Sequence, residues 1–221
     1  MSTAIPLESR IRLIEVYASV QGESTWVGVP CVFVRLAGCN LRCTWCDSTF
    51  TFKGGQHRTI DEVLDEVAAF GIPLVEVTGG EPLVHRQAIP LMARLLERGH
   101  TVLLETSGSR DISQVPEGVH IILDLKPPDS GEERANLWTN IPLLKSKDEV
   151  KFVIASRRDY EWAREKLRSY SLDQRCTVLF SPVFGQVAPL DLVSWIMEDR
   201  LPVRFQLQLH KVLWPPDQRG V

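Results

Sequence analysis

Short apolar runs rich in β-branched residues alternate along this chain with segments of helical periodicity. The runs predict strands over 12–20, 32–36, 74–78, 101–105, 120–124, 149–154, 177–180 and 203–208. Helices are predicted over 60–70, 87–98, 159–169 and 190–199. Such alternation argues for βα units around a parallel sheet. Thr59 with Glu62 three places on is a helix start signal. Pro189 stands just before the fourth helix, where a missing N–H does little harm. The helices are too few for a complete (β/α)8 barrel, which typically takes about 250 residues, and a partial barrel of about six parallel strands fits better. The segment 127–148, PPDSGEERANLWTNIPLLKSKD, is polar and irregular and reads as a surface insertion; no linker is evident.

Composition narrows the class. The 221 residues are 44% hydrophobic and 24% charged, enough for one globular domain with a proper core. Lys+Arg 25 against Asp+Glu 28 leaves a net charge of −3, which does not point to nucleic-acid binding as the main task. No apolar stretch reaches the roughly 18 to 20 residues of a membrane span. The N-terminal MSTAIPLESRIRLIEV lacks the basic start and continuous apolar stretch of a signal peptide, so a cytoplasmic location is expected.

The chemistry centres on GCNLRCTWCDS, where Cys39, Cys43 and Cys46 are spaced C-x3-C-x2-C. Three thiolates crowded into one loop can hold three irons of a [4Fe–4S] cube and leave the fourth iron open. Zinc would prefer a second closely spaced cysteine pair or an H-x3-5-H histidine pair, and neither is present; zinc and redox readings remain the alternatives at this point. A disulfide framework is disfavoured by five cysteines in a chain that is not a small secreted one. TGGEP, from Thr78 to Pro82, follows a predicted strand. Two glycines there let backbone approach a ligand, and Glu81 with the strand-end carbonyls suits a primary ammonium. Arg35 sits inside the apolar run VFVRLAG, so its charge must be paired or face a cavity. The cysteine loop, TGGEP, ETSGS and DLKPP all fall at the C-terminal ends of predicted strands, where reactive groups collect in such folds.

The cysteine loop followed by TGGEP resembles the radical S-adenosylmethionine (SAM) superfamily. The segments VYASVQGESTWVGVPCVFVRLAGCNLRCTWCDSTF, ETSGS, DLKPP and LQLHKVLWP narrow the resemblance to the 7-carboxy-7-deazaguanine synthases, from about Ile14 to Pro215. The cysteine motif specifies only the superfamily; QGE, CDS and HKxLWP are more specific. The resemblance implies an abbreviated (β/α)6 partial TIM-like barrel of the radical SAM type, with 1–221 as one domain and 216–221 as a C-terminal tail. It implies a lyase of queuosine biosynthesis that converts 6-carboxy-5,6,7,8-tetrahydropterin to 7-carboxy-7-deazaguanine with loss of ammonia. SAM would act as a cofactor, beside a [4Fe–4S] cluster and Mg2+.

By the same resemblance Cys39, Cys43 and Cys46 would ligate the cluster. Gly79, Gly80 and Glu81 would hold the SAM amino group, with Ser107 and Lys126 as further SAM contacts. Ser48 would help bind Mg2+, which favours a few protein oxygens plus substrate. Gln21, Glu23, Arg35 and His210 would contact the pterin, with Gln208 and Lys211 as weaker candidates. Trp45 and Phe50 would shield the cluster loop or stack on adenine. The implied partners are a reductant such as flavodoxin or ferredoxin and a second copy in a homodimer. The tail Pro216–Val221 extends past the HKxLWP segment and is assigned no substrate role. Two rivals remain: a glycyl-radical-enzyme activase, which needs a protein-docking face, and a non-catalytic metal-binding module.

Overall fold

The computed structural model describes residues 10–216 and 218–221. The first nine residues of the stretch read for a targeting signal, and Asp217 of the tail, lie outside them. The strands are β1 (Arg10–Val20), β2 (Pro30–Leu36), β3 (Gln56–Thr59), β4 (Leu74–Gly79), β5 (Thr101–Thr106), β6 (His120–Leu125), β7 (Glu149–Ile154), β8 (Thr177–Pro182) and β9 (Arg204–Phe205). They form one sheet in the order β3-β1-β2-β4-β5-β6-β7-β8-β9. From β2 to β9 every pairing is parallel, whereas β1 runs antiparallel to both β2 and β3. The six full-length parallel strands β2 and β4–β8 are the partial barrel.

The helices are α1 (Ile60–Ala69), α2 (Ala88–Glu97), α3 (Arg157–Ser169), α4 (Pro189–Glu198) and the single turn α5 (His210–Leu213). The expected box caps α1: Thr59 Oγ1 accepts from Glu62 N, and Glu62 Oε2 accepts from Thr59 N. Ser156 caps α3 by accepting from Asp159 N, so that helix starts two residues before the predicted Asp159. Among the described residues no helix is long and apolar enough to cross a membrane.

Side chains alternate across a strand, and the alternation sorts two environments. Val32, Val34, Leu36, Val75, Val77, Val102 and Leu104 pack outward against α1 and α2. Cys31, Phe33, Leu74, Leu103 and Ile122 form a small inner cluster that plugs the floor of the barrel. Above that plug the same strand faces carry Arg35, Glu76, Glu105, Asp124 and Lys151, and all five border one cavity.

Three features depart from the pattern reading. β3 was not expected, because QHRT has no apolar alternation; it forms by pairing Arg10–Leu13 of β1 with Thr59–Gln56. The last predicted strand shrinks to two residues, since the following segment turns to the loop after β1, with Leu209 N donating to Gly22 O. The segment 127–148 folds into three short 3-10 turns, Pro128–Ser130, Glu133–Ala135 and Trp138–Leu143, and sends Ile141 and Leu144 into the core.

Candidate active site

The strand ends open into a cavity of ≈ 750 Å³. Apart from Glu81, every side chain or glycine singled out above as a site residue borders it.

At one side lies the cysteine loop that follows β2. Cys39, Cys43 and Cys46 are free thiols, each partly exposed to the cavity. Among the described residues no three His, Cys, Asp or Glu side chains are gathered tightly enough to chelate a single ion. Separate thiols around one space suit the corners of a cluster, which shares its ligands over several irons. Burial raises all three thiols, Cys43 to about 11, while Lys126 draws each of them down. Lys126 thus faces the thiols; it also lies 3.0 Å from Asp124 Oδ1.

The two glycines after β4 are required by this loop. A Cβ at Gly80 would stand 2.4 Å from Gly38 O and 2.6 Å from Cys39 Cβ. Gly79 has φ +154, and a Cβ there would stand 2.3 Å from Leu36 O. The backbone after β4 is therefore pressed against the backbone that carries the cysteines, a contact open only to glycine.

Glu81 lies behind the cavity wall. It is fully buried and does not border the cavity. Its Oε1 accepts from Leu83 N (2.9 Å) and Thr106 Oγ1 (2.8 Å). Its Oε2 accepts from Ser107 N (2.8 Å) and Ser107 Oγ (2.5 Å). Four donors fill the carboxylate, which ties the end of β4 to the end of β5. Ser107, held by Glu81 and by Ser109 Oγ at 2.8 Å, still borders the cavity.

The opposite side is built from the loop after β1 and the segment after β9. Gln206 clamps Ser24 in both directions, Ser24 N donating to Gln206 Oε1 and Gln206 Nε2 to Ser24 O. Gln21 Oε1 accepts from Glu23 N, while Gln21 Nε2 donates to Glu76 Oε2 at 2.9 Å. Glu23 takes Gln208 Nε2 at 2.8 Å and Lys151 Nζ at 2.5 Å. Burial would raise Glu23, but Lys151, His210 and the Gln208 hydrogen bond outweigh it and hold the carboxyl at about 2. His210 begins α5.

Arg35 Nε donates to Glu15 Oε1 at 2.7 Å, and Arg35 also donates to the Tyr17 hydroxyl at 2.5 Å. Burial opposes the guanidinium charge, yet Tyr17 and Glu15 outweigh it, and Arg35 titrates above its ordinary value. Ser48 Oγ donates to Asp47 Oδ1 at 3.0 Å, and Asp47 pairs with Lys211 at 2.6 Å. Trp45 borders the cavity, and Phe50 carries the Arg219 guanidinium 4.0 Å over its ring. Residues 216 and 218–221 of the tail reach the same cavity.

Glu76, Glu105, Asp124 and Lys151 were not singled out from the sequence. The signal was present: each is a charge inside an apolar strand run, the same reason that picks out Arg35. Lys151 is almost wholly buried and meets three carboxylates, Glu23, Glu105 and Asp124.

Comparison with known proteins agrees with this geometry. The Radical SAM superfamily profile matches residues 34–184. The 7-carboxy-7-deazaguanine synthase of Koribacter versatilis (strain Ellin345) is 46% identical over 226 residues, covering 96% of this chain and 100% of that protein. That of Chlorobaculum tepidum is 45% identical over 224 residues, covering 100% of both. The crystal structure of QueE from Escherichia coli superposes with a TM-score of 0.75 at 22% identity, over 91% of this chain and 95% of that one, which supports the fold. With three cysteines and paired glycines around one cavity, and near-complete overlap with such relatives, the chain belongs to the radical SAM superfamily and, within it, to the 7-carboxy-7-deazaguanine synthases.

Proposed function

We propose that this chain contracts the ring of 6-carboxy-5,6,7,8-tetrahydropterin to 7-carboxy-7-deazaguanine, releasing ammonia, as a lyase of 7-deazapurine (queuosine) biosynthesis. The observation that carries the reading is the meeting of three thiols, two backbone-packed glycines and the Gln21–Glu23–Arg35–His210 set around one cavity. The family uses a [4Fe–4S] cluster with SAM, which supply the 5′-deoxyadenosyl radical for hydrogen abstraction at C6 of the pterin. Cys39, Cys43 and Cys46 hold the cluster.

The places of the remaining residues support the following roles. Gly79 and Gly80 border the SAM side, with Glu81 fixing them from behind and Ser107 and Lys126 alongside. Glu23, kept ionised, accepts from the donor edge of the pterin, and Gln21 sets its backbone. Arg35 turns its remaining donors to the substrate carboxylate, while His210 closes that side. Ser48 offers a hydroxyl to Mg2+, whose other ligands come from substrate and water. Residues 1–221 act as one domain, and the protein works in the cytoplasm as a homodimer fed by a one-electron reductant such as flavodoxin or ferredoxin.

Anaerobic turnover tests the reading. Reconstituted protein receives reductant, SAM, Mg2+ and 6-carboxytetrahydropterin, and products are read by mass spectrometry. Conversion to 7-carboxy-7-deazaguanine without stoichiometric loss of SAM is the expected result. SAM cleavage with the pterin untouched would refute the substrate and favour the activase; no SAM cleavage at all would favour a binding module.

A further inference from the structure

The cations around the cavity are not all matched. Arg35, Lys126, Lys151, Lys211 and Arg219 border it. The first four each have a carboxylate: Arg35 has Glu15 at 2.7 Å, Lys126 has Asp124 at 3.0 Å, Lys151 has Glu23 at 2.5 Å and Lys211 has Asp47 at 2.6 Å. Arg219 has no acidic partner among the described residues; its contact is the Phe50 ring, whose centroid lies 4.0 Å from its Cζ.

No substrate role is expected of the tail from its sequence, yet its course brings this charge to the site. α5 ends at Leu213, and Gln218 N then donates to Pro215 O at 2.9 Å, which closes a turn. Gly220, at φ +70, takes a left-handed bend that glycine adopts without strain. Residues 216 and 218–221 border the cavity as a result. Phe50 is a shared platform, because the Arg35 guanidinium lies 5.8 Å from the same centroid. Arg219 therefore stands on the Arg35 side of the cavity. Stacking occupies the face of a guanidinium and leaves its in-plane N–H donors free. A cation without a counter-charge, with free donors, in a ligand cavity is a seat for an anion.

We propose that Arg219 is a specificity-determining residue that binds the carboxylate of the pterin, with Phe50 holding its guanidinium in place. This role rests on the pterin reading above. Arg35 can offer the carboxylate hydrogen bonds, but Glu15 already balances the Arg35 charge. Arg219 supplies the positive charge that this pairing leaves out. Arg219 is exposed, and a ligand that displaces water from it strengthens the attraction between them. SAM carries a carboxylate too, and the same chemistry would seat it; the nearness of Arg35 favours the pterin.

The test measures binding by isothermal titration calorimetry to anaerobic, cluster-reconstituted wild type, Arg219→Gln and Arg219→Lys, without reductant so that no turnover occurs. The probes are 6-carboxy-5,6,7,8-tetrahydropterin, 5,6,7,8-tetrahydropterin, which lacks the carboxylate, and SAM. Arg219→Gln should bind the carboxylated pterin about 10- to 100-fold more weakly, the scale of a hydrogen bond to a charged group. It should bind tetrahydropterin and SAM as wild type does. Arg219→Lys should recover part of the loss, since it keeps the charge but not the planar fork. With reductant added, the loss in Arg219→Gln should fall on KM and leave kcat near wild type. Unchanged affinity of Arg219→Gln for the carboxylated pterin would overturn the role. Equal weakening of both pterins would overturn it as well, since the tail would then only pack against the cavity. A fall in SAM affinity in place of the pterin's would assign the seat to SAM and overturn the pterin role. Failure of wild type itself to bind 6-carboxytetrahydropterin overturns the substrate reading, and this role with it.

Discussion

Removing the Glu81 carboxylate tests whether it staples the strand ends or binds a ligand. In Glu81→Ala four donors lose their acceptor. The Thr106 and Ser107 hydroxyls can rotate, and Ser107 already has Ser109 Oγ at 2.8 Å. The backbone N–H groups of Leu83 and Ser107 cannot. At about 1–3 kcal/mol for each orphaned buried donor, the expected loss is about 4 kcal/mol. In Glu81→Gln the amide oxygen can serve Ser107, the amide nitrogen can donate to a rotated Thr106 hydroxyl, and only Leu83 N is stranded, for about 2 kcal/mol. Urea unfolding of reduced, cluster-free protein measures both without a bound ligand adding to stability. For a chain of this size, 4 kcal/mol corresponds to a fall in Tm of roughly 8–16 °C. Glu81→Ala within about 1 kcal/mol of wild type would refute the staple. A Glu81→Gln variant with wild-type stability and lost SAM affinity would restore Glu81 as a direct ligand.

Three further perturbations follow. Gly80→Ala forces a Cβ to 2.4 Å from Gly38 O, so reconstituted protein should carry less than half the wild-type iron and absorb less in the visible; full iron content would refute the packing. Glu23 is depressed from 4.5 to about 2, so its stabilisation is complete above the unfolded value and is lost as pH falls toward 2; at about 1.4 kcal/mol per unit it is worth about 3 kcal/mol. The deficit of Glu23→Gln in urea should therefore be largest at pH 7 and shrink below pH 4.5, and a deficit constant with pH would refute the Lys151 pairing. Gln206→Ala frees both backbone groups of Ser24, which should cost about 2 kcal/mol and raise KM for the pterin while leaving SAM binding alone; an unchanged KM would refute the clamp.

Local patterns were enough for the strands and helices whose side chains face the core, because burial imposes a periodicity that any single segment displays. β1, β2 and β4–β8 lie within two residues of their predicted ends, and the Thr59 cap forms as read. β3 was not legible, since QHRT carries no burial signal and is a strand only because β1 offers its edge. The last strand was read too long and α5 was not read at all for a related reason: the segment after Phe205 leaves the sheet to meet a loop 182 residues earlier in the chain.

The site divides in the same way. By itself the amino-acid sequence determined the cysteine loop, the paired glycines and, through their resemblance, the family, because these sit in contiguous motifs. Only the tertiary structure decided that Glu81 faces inward to four donors, that Glu23 is held ionised by Lys151, and that Glu76 is buried against Gln21. Each of these depends on which charges from separate strands meet inside the barrel. That outcome is set by strand order and register, and the energy of a buried charge is set by its neighbours in space.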